Sequence, residues 1–416
     1  MTNAALESEV RSYARSWPTT FTRGLGSRLQ DDTGRSYLDF FAGAGALNYG
    51  HNHPVLKRAL MSYLDRDGVV HSLDMATTAK ADFLTAFGRR ILAPRNLDYR
   101  VQFCGPTGTN SVEAALKLAR KVTGRSTVVA FTGAFHGMSL GSLAVTGNAS
   151  KRAAAGITLG HTHRVPYDGF GDTGGSGLPL LESMLDDSSS GLDLPAAVIV
   201  ETVQGEGGVN VARTQWLTDL AELCRSRGIL LIVDDVQMGC GRTGPFFSFE
   251  ASGVVPDIVC LSKSISAYGL PMALTLFRPE LDVWSPGEHN GTFRGYNPAF
   301  VTATAALDEF WQDSTLEKQT GDRGALVETR LRALSDRYAG QITGCRGRGL
   351  VWGLEFSDPT AAPRVSAHAF AQGLLVETSG SVNQVVKLLP PLTTAEDELD
   401  EGLAILATSI TASLRA

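Results

Sequence analysis

The chain has 416 residues, 43% apolar and 19% charged, and 37 Lys and Arg against 43 Asp and Glu give a formal net charge of -6. That length exceeds what one hydrophobic core usually organises, and the composition excludes a largely disordered chain. No block of one charge sign suggests nucleic acid or a membrane surface as partner, so the expected ligands are small molecules.

In chain order, short alternating runs at 27–30 and 37–41 flank Asp32-Thr33-Gly34 and predict a β-hairpin. After a glycine-rich stretch at 42–50, Pro54 opens a predicted helix with Val55, Leu56, Ala59, Leu60 and Tyr63 on one face. Continuous apolar runs at 127–131, 196–200, 229–234, 257–261 and 272–277 predict strands covered on both faces. Predicted helices at 111–123 and 215–227 fall between some of them, each followed by a stop glycine, Gly124 and Gly228. This is the pattern of an α/β domain built on a mostly parallel sheet. Surface loops are expected at 172–177 and 186–191. Past residue 300 come a helical stretch to about 338, strands at 350–356, 374–376 and 385–389, and a last helix from 395 bearing Leu399, Leu403 and Leu406. The expected division is a meander at 1–52 that joins a small α+β domain at 301–416, with a large domain at 53–300 between them.

Cys104, Cys224, Cys240, Cys260 and Cys345 lie far apart without metal-ligand spacing and read as reduced thiols, so no metal is expected. Residues 1–17 hold no apolar core of a leader, and no run reaches about 18 apolar residues, which gives a cytoplasmic address as the expectation.

Three places carry chemistry. Gly105-Pro106-Thr107-Gly108-Thr109-Asn110 stands before an amphipathic helix, where free N–H groups of Gly108 and Thr109 and the threonine hydroxyl suit a phosphate; a plain capped turn fits equally. The strand at 229–233 ends in Asp234-Asp235, at the edge where open α/β sheets bind ligands. A carboxylate there suits a pyridine nitrogen, with a helix cap or a metal site as the alternative. Lys263 follows the apolar run at 258–261, where desolvation would free its amine to attack an aldehyde; a solvated loop lysine is the other reading.

Their order along the chain, with Gly43 to Pro54, Phe135-His136-Gly137, Glu201-Thr202-Val203-Gln204-Gly205-Glu206-Gly207-Gly208, Asp234-Asp235-Val236-Gln237, Gly241-Arg242-Thr243-Gly244, Lys263 and Gly291-Thr292-Phe293, resembles the class III, or ω-amino-acid, aminotransferases. The resemblance spans Asp39 to about Leu392. It implies the aspartate-aminotransferase-like architecture called PLP fold type I, with pyridoxal 5'-phosphate as cofactor, an amino donor and a keto or aldehyde acceptor as substrates, and Lys263 and Asp234 as catalytic residues. It further implies that Phe135 stacks on the cofactor ring, that Asp234 and Gln237 meet the ring nitrogen and hydroxyl, and that Gly108 and Thr109 bind phosphate. Glu201 would stand beside the substrate pocket. Thr292 would complete the neighbouring site in a homodimer, with higher assembly open. Core packing for Phe135, a satisfied turn for His136 in place of cofactor contact, and a loop hydroxyl for Thr292 stay as alternatives.

Longer stretches, including 40–51, 71–80, 262–272 and 287–295, are similar to the branch of the family that uses diaminobutyrate, as in ectoine biosynthesis. That likeness implies glutamate and aspartate 4-semialdehyde as substrates; ornithine, acetylornithine, 4-aminobutyrate, an aminomutase reaction or a non-catalytic regulatory role are the rival readings. One departure stands out. Many members carry arginine before Pro390-Pro391-Leu392, whereas this chain has Lys387, a point charge in place of a bidentate fork. Lys387 is then a candidate for the substrate carboxylate, with Arg242, Arg294 or Arg346 sharing the role.

Overall fold

The computed structural model describes residues 6–171 and 175–415, so part of the loop expected at 172–177 lies outside the described residues. The central sheet has seven strands in the order Arg100–Phe103, Leu274–Phe277, Ile258–Leu261, Leu230–Asp234, Ala197–Val200, Val128–Phe131 and Thr162–Val165. Only Leu274–Phe277 runs antiparallel to its neighbours. The segment leading into it, 262–273, holds a short 3-10 turn and no crossover helix, so the chain turns back beside the strand it has just left.

Side chains alternate along each strand, and here both sets are buried. Val129, Phe131, Val198, Val200, Leu231, Val233, Val259 and Leu261 join one apolar cluster. Their neighbours Val128, Ala130, Ala197, Ile199, Ile232 and Ile258 join another, with Val112, Leu116 and Ala119 of the helix Gly108–Thr123. Two covered faces are why these runs are continuously apolar. The strands without such a run, Arg100–Phe103 and Thr162–Val165, are the sheet's two edges, where polar side chains find solvent.

The predicted hairpin forms from Arg28–Asp31 and Ser36–Asp39, its turn held by the Asp31 carboxylate, which accepts from Thr33 N–H and Arg35 N–H at 3.0 Å each. A further strand, Phe21–Leu25, pairs beside it, and Ser36–Asp39 also pairs in parallel with Leu374–Leu375. The run expected at 374–376 divides at Val376: Glu377–Ser379 enters a separate antiparallel sheet with Val385–Leu388, Val351–Phe356 and Ile342–Arg348. The single helical stretch expected to 338 is two helices, Asn297–Phe310 and Thr315–Arg337. Trp311 buries its ring at the break and donates to Tyr49 Oη (2.8 Å), and Asp313, just before the second helix, accepts from Thr315 N–H (2.8 Å). Among the described residues no helix is long and apolar enough to cross a membrane.

Candidate active site

The carboxyl ends of the parallel strands converge on one small cavity. Glu201 follows Ala197–Val200, Asp234 ends Leu230–Asp234, and Lys263 stands two residues beyond Ile258–Leu261. With Gly108, Thr109, Phe135, His136, Gly137, Glu206, Val236, Gln237 and Met238 they line about 170 Å³. Thus Gly108, Thr109, Phe135, His136, Glu201, Asp234, Gln237 and Lys263, spread over more than 150 positions, share one wall system.

At one end sits the start of the helix Gly108–Thr123, one turn earlier than hydropathy suggests because Thr107 caps it, its hydroxyl accepting from Asn110 N–H. A Cβ on Gly108 would come within 2.7 Å of Val236 Cγ1, so only glycine leaves this end of the cavity open. The Thr109 hydroxyl lies 2.6 Å from Ser139 Oγ. At the other end, Asp234 is 6% exposed, and its Oδ2 lies 2.7 Å from Nδ1 of the buried His136. Burial opposes charge on that imidazole, yet the bond to Asp234 and the nearby carboxylates outweigh it, and its pKa rises. The imidazole thus orients the carboxylate from behind. Glu201 accepts from Phe135 N–H (2.9 Å), and burial pushes its pKa up to about 7.

Lys263 occupies a left-handed backbone conformation (φ 50°) in the turn Lys263–Ser266. Ser264 Oγ donates to Gly45 O (2.7 Å) and accepts from Asn48 N–H (3.1 Å), while Gln237 Nε2 donates to Ala44 O (3.0 Å). The glycine-rich 42–50 segment thus braces both residues. Burial lowers the pKa of the Lys263 amine, although Glu206 pulls the other way. Gln237 Oε1 packs directly over Gly205, where a Cβ would come within 1.8 Å and displace the glutamine side chain.

Two expected carboxylate ligands are engaged within the protein. Arg242 is fully buried in the packing, its guanidinium donating to Leu350 O (2.8 Å), Pro390 O (2.5 Å) and Asn48 Oδ1 (2.6 Å), and it lines neither this cavity nor the cleft beside it. Burial brings its pKa down to about 9, the cost of using a guanidinium to tie three segments together. Lys387 is also fully buried, and its Nζ lies 2.6 Å from Glu206 Oε1 and 3.0 Å from Glu377 Oε1. Two carboxylates pair with it, and one of them, Glu206, lines the cavity. Lys387→Met should destabilise the protein by about 3 kcal/mol, since it strands the buried Glu377 carboxylate and unpairs the partly exposed Glu206; an unchanged thermal midpoint would contradict this. Glu206 is the wall residue that the sequence reading passed over, although it stands in the Gly205-Glu206-Gly207-Gly208 run. Its partner lies 181 positions away. Thr292 is exposed on the turn Thr292–Gly295 and does not line the cavity of its own chain. Arg294 lies 3.9 Å from Asp74, and Arg346 pairs with Glu355 at 2.7 Å.

The family model for class-III aminotransferases matches residues 11–410. The chain belongs to this family. Among relatives, a diaminobutyrate–2-oxoglutarate transaminase of Streptomyces coelicolor is 64% identical over 97% of this chain and 96% of its own length. One from Nocardia farcinica is 63% identical over 98% and 93%. A solved ornithine aminotransferase from Toxoplasma gondii, with pyridoxal phosphate partly occupying its active site, superposes with a TM-score of 0.85 at 27% identity, covering 99% of this chain and 94% of that one. This aminotransferase is a pyridoxal-phosphate enzyme of PLP fold type I. The cavity fits the cofactor: an open helix start for the phosphate at one end, a buried carboxylate for the ring nitrogen at the other, and a desolvated amine between them.

Proposed function

We propose that the aminotransferase moves the amino group of L-glutamate to L-aspartate 4-semialdehyde, giving L-2,4-diaminobutyrate and 2-oxoglutarate, reversibly and in two half-reactions. The observation that carries this reading is the 63–64% identity, over nearly the whole chain, to two diaminobutyrate transaminases. The bound cofactor supplies an aldehyde that condenses with amines and a ring that draws electrons from the reacting carbon.

The chain's own residues do the rest. Gly108 and Thr109 would hold the phosphate, Phe135 would pack on the ring, and Gln237 would approach the ring hydroxyl. Asp234, oriented by His136, keeps the ring nitrogen protonated and thereby strengthens its pull. Lys263, whose amine burial desolvates, would hold the cofactor's aldehyde end and, when released, would serve as the base that takes the proton from the substrate carbon and as the acid that returns it. Glu201 stands beside the bound substrate.

We place Thr292 in the neighbouring site of a homodimer. It is exposed beside Phe293, which is 64% exposed, and Leu73 and Met75 are exposed as well, an apolar surface suited to a second copy. A cytoplasmic location completes the reading, favoured by five cysteines that are all free.

The test is a donor screen with purified holoenzyme and 2-oxoglutarate. Diaminobutyrate should give a kcat/KM at least about tenfold above ornithine and 4-aminobutyrate, the difference of about 1.4 kcal/mol that marks real discrimination. A higher value for either rival donor would overturn the substrate assignment.

A further inference from the structure

Behind the phosphate end of the cavity lies a second layer of polar groups. Thr109 and Glu113 stand one turn apart on the same face of the helix Gly108–Thr123. Thr109 lines the cavity and Glu113 does not. Across from them, the chain that leaves Phe135-His136-Gly137 brings in Ser139 and Ser142, at the start of the helix Leu140–Val145. Ser139 Oγ donates to Glu113 Oε1 (2.7 Å), and Ser142 N–H donates to the same oxygen (3.1 Å). Ser142 Oγ donates to Thr109 O (3.0 Å), and Ser139 N–H donates to Thr109 Oγ1 (3.3 Å).

These contacts fix where each hydrogen goes. A carboxylate only accepts, so the single hydrogen of Ser139 Oγ is committed to Glu113. In its 2.6 Å contact with Thr109 Oγ1, Ser139 Oγ is then left to accept, and the threonine donates. With no acceptor at position 113, the serine hydroxyl is free to turn its hydrogen toward Thr109, and the threonine hydrogen loses its fixed place. Gly137 keeps room for the arrangement, since a Cβ there would come within 2.5 Å of Thr109 Oγ1.

We propose that Glu113 is a positioning residue for the cofactor phosphate, acting through Ser139 to hold the Thr109 hydroxyl ready to donate. This rests on the reading above that Thr109 binds the phosphate, and carries it one layer outward. Thr109 can pass its hydrogen from Ser139 to a phosphate oxygen, a stronger acceptor than a serine hydroxyl, while Ser139 N–H keeps the threonine oxygen in place. What Glu113 contributes is an acceptor at the right place, and its effect is confined to the phosphate.

The test is a spectroscopic titration of the full chain, freed of cofactor, with pyridoxal phosphate and with pyridoxal, which has the same ring and aldehyde but no phosphate. Glu113→Ala and Ser139→Ala should each raise the Kd for pyridoxal phosphate about tenfold, the scale of one hydrogen bond to a charged group. Pyridoxal should bind these variants and the wild type alike, within about twofold. Glu113→Gln, whose amide oxygen accepts from Ser139 as the carboxylate does, should keep the pyridoxal phosphate affinity within about threefold. In a Thr109→Val background, with no hydroxyl to place, Glu113→Ala should add less than about a further twofold. Unchanged pyridoxal phosphate binding in Glu113→Ala overturns the proposal. So does an equal loss for pyridoxal, which would mark a packing defect, and so does a full additional loss in the Thr109→Val background. If Thr109→Val alone leaves the Kd for pyridoxal phosphate unchanged, the assignment of Thr109 to the phosphate fails and takes the role of Glu113 with it.

Discussion

Lys263→Ala is expected to lower turnover by about four orders of magnitude or more, because the substitution removes both the covalent anchor and the proton carrier. The fold should survive it. The turn is held by Ser264 Oγ bonded to Gly45 O and Asn48 N–H, and by Ser262 Oγ donating to Met272 O (2.8 Å), none of which involves the lysine side chain. Removing the amine also relieves the desolvation that lowers its pKa. Turnover and thermal melting measured on one preparation separate the two effects. Activity within tenfold of wild type would remove Lys263 from the mechanism, and a collapsed melting curve would make the loss one of folding.

The second large effect is expected at Asp234→Asn. The side chain keeps its size and can still accept from His136, whereas the charge facing the ring nitrogen disappears. Loss of a pre-organised charge at the reacting centre costs about two to three orders of magnitude in rate. The drop should appear in both half-reactions at saturating cofactor, with the melting temperature little changed. Asp235 offers an internal contrast. It is 1% exposed, accepts from Ser248 N–H (2.9 Å), and burial pushes its pKa up to about 7. It holds the strand end and does not line the cavity. Of two adjacent carboxylates, one faces the cavity and one faces the core.

That contrast shows what could be read from residues in a row. A strand end, a glycine-rich helix start and a lysine after an apolar run each place a side chain locally, and Asp234, Gly108 and Lys263 all reach the cavity on that basis. The strands with both faces buried were legible for the same reason. What stayed hidden depends on distant partners. The sequence context of Lys387 cannot disclose that Glu206 and Glu377 surround it, since one is 181 positions away and the other pairs by strand register. Nor could Arg242 be distinguished from a ligand until its three acceptors, Leu350 O, Pro390 O and Asn48 Oδ1, were seen to come from separate segments. Edge strands such as Thr162–Val165 carry too few apolar residues to stand out, and the reversed direction of Leu274–Phe277 is a property of the connection before it.

The central claim is that one amine, Nζ of Lys263, meets the cofactor aldehyde. Borohydride reduction of the holoenzyme, followed by proteolysis and mass spectrometry of the peptides, tests it directly. The cofactor mass should be found on Lys263 alone, in stoichiometric yield. Its appearance on another lysine, or on none, would contradict the account.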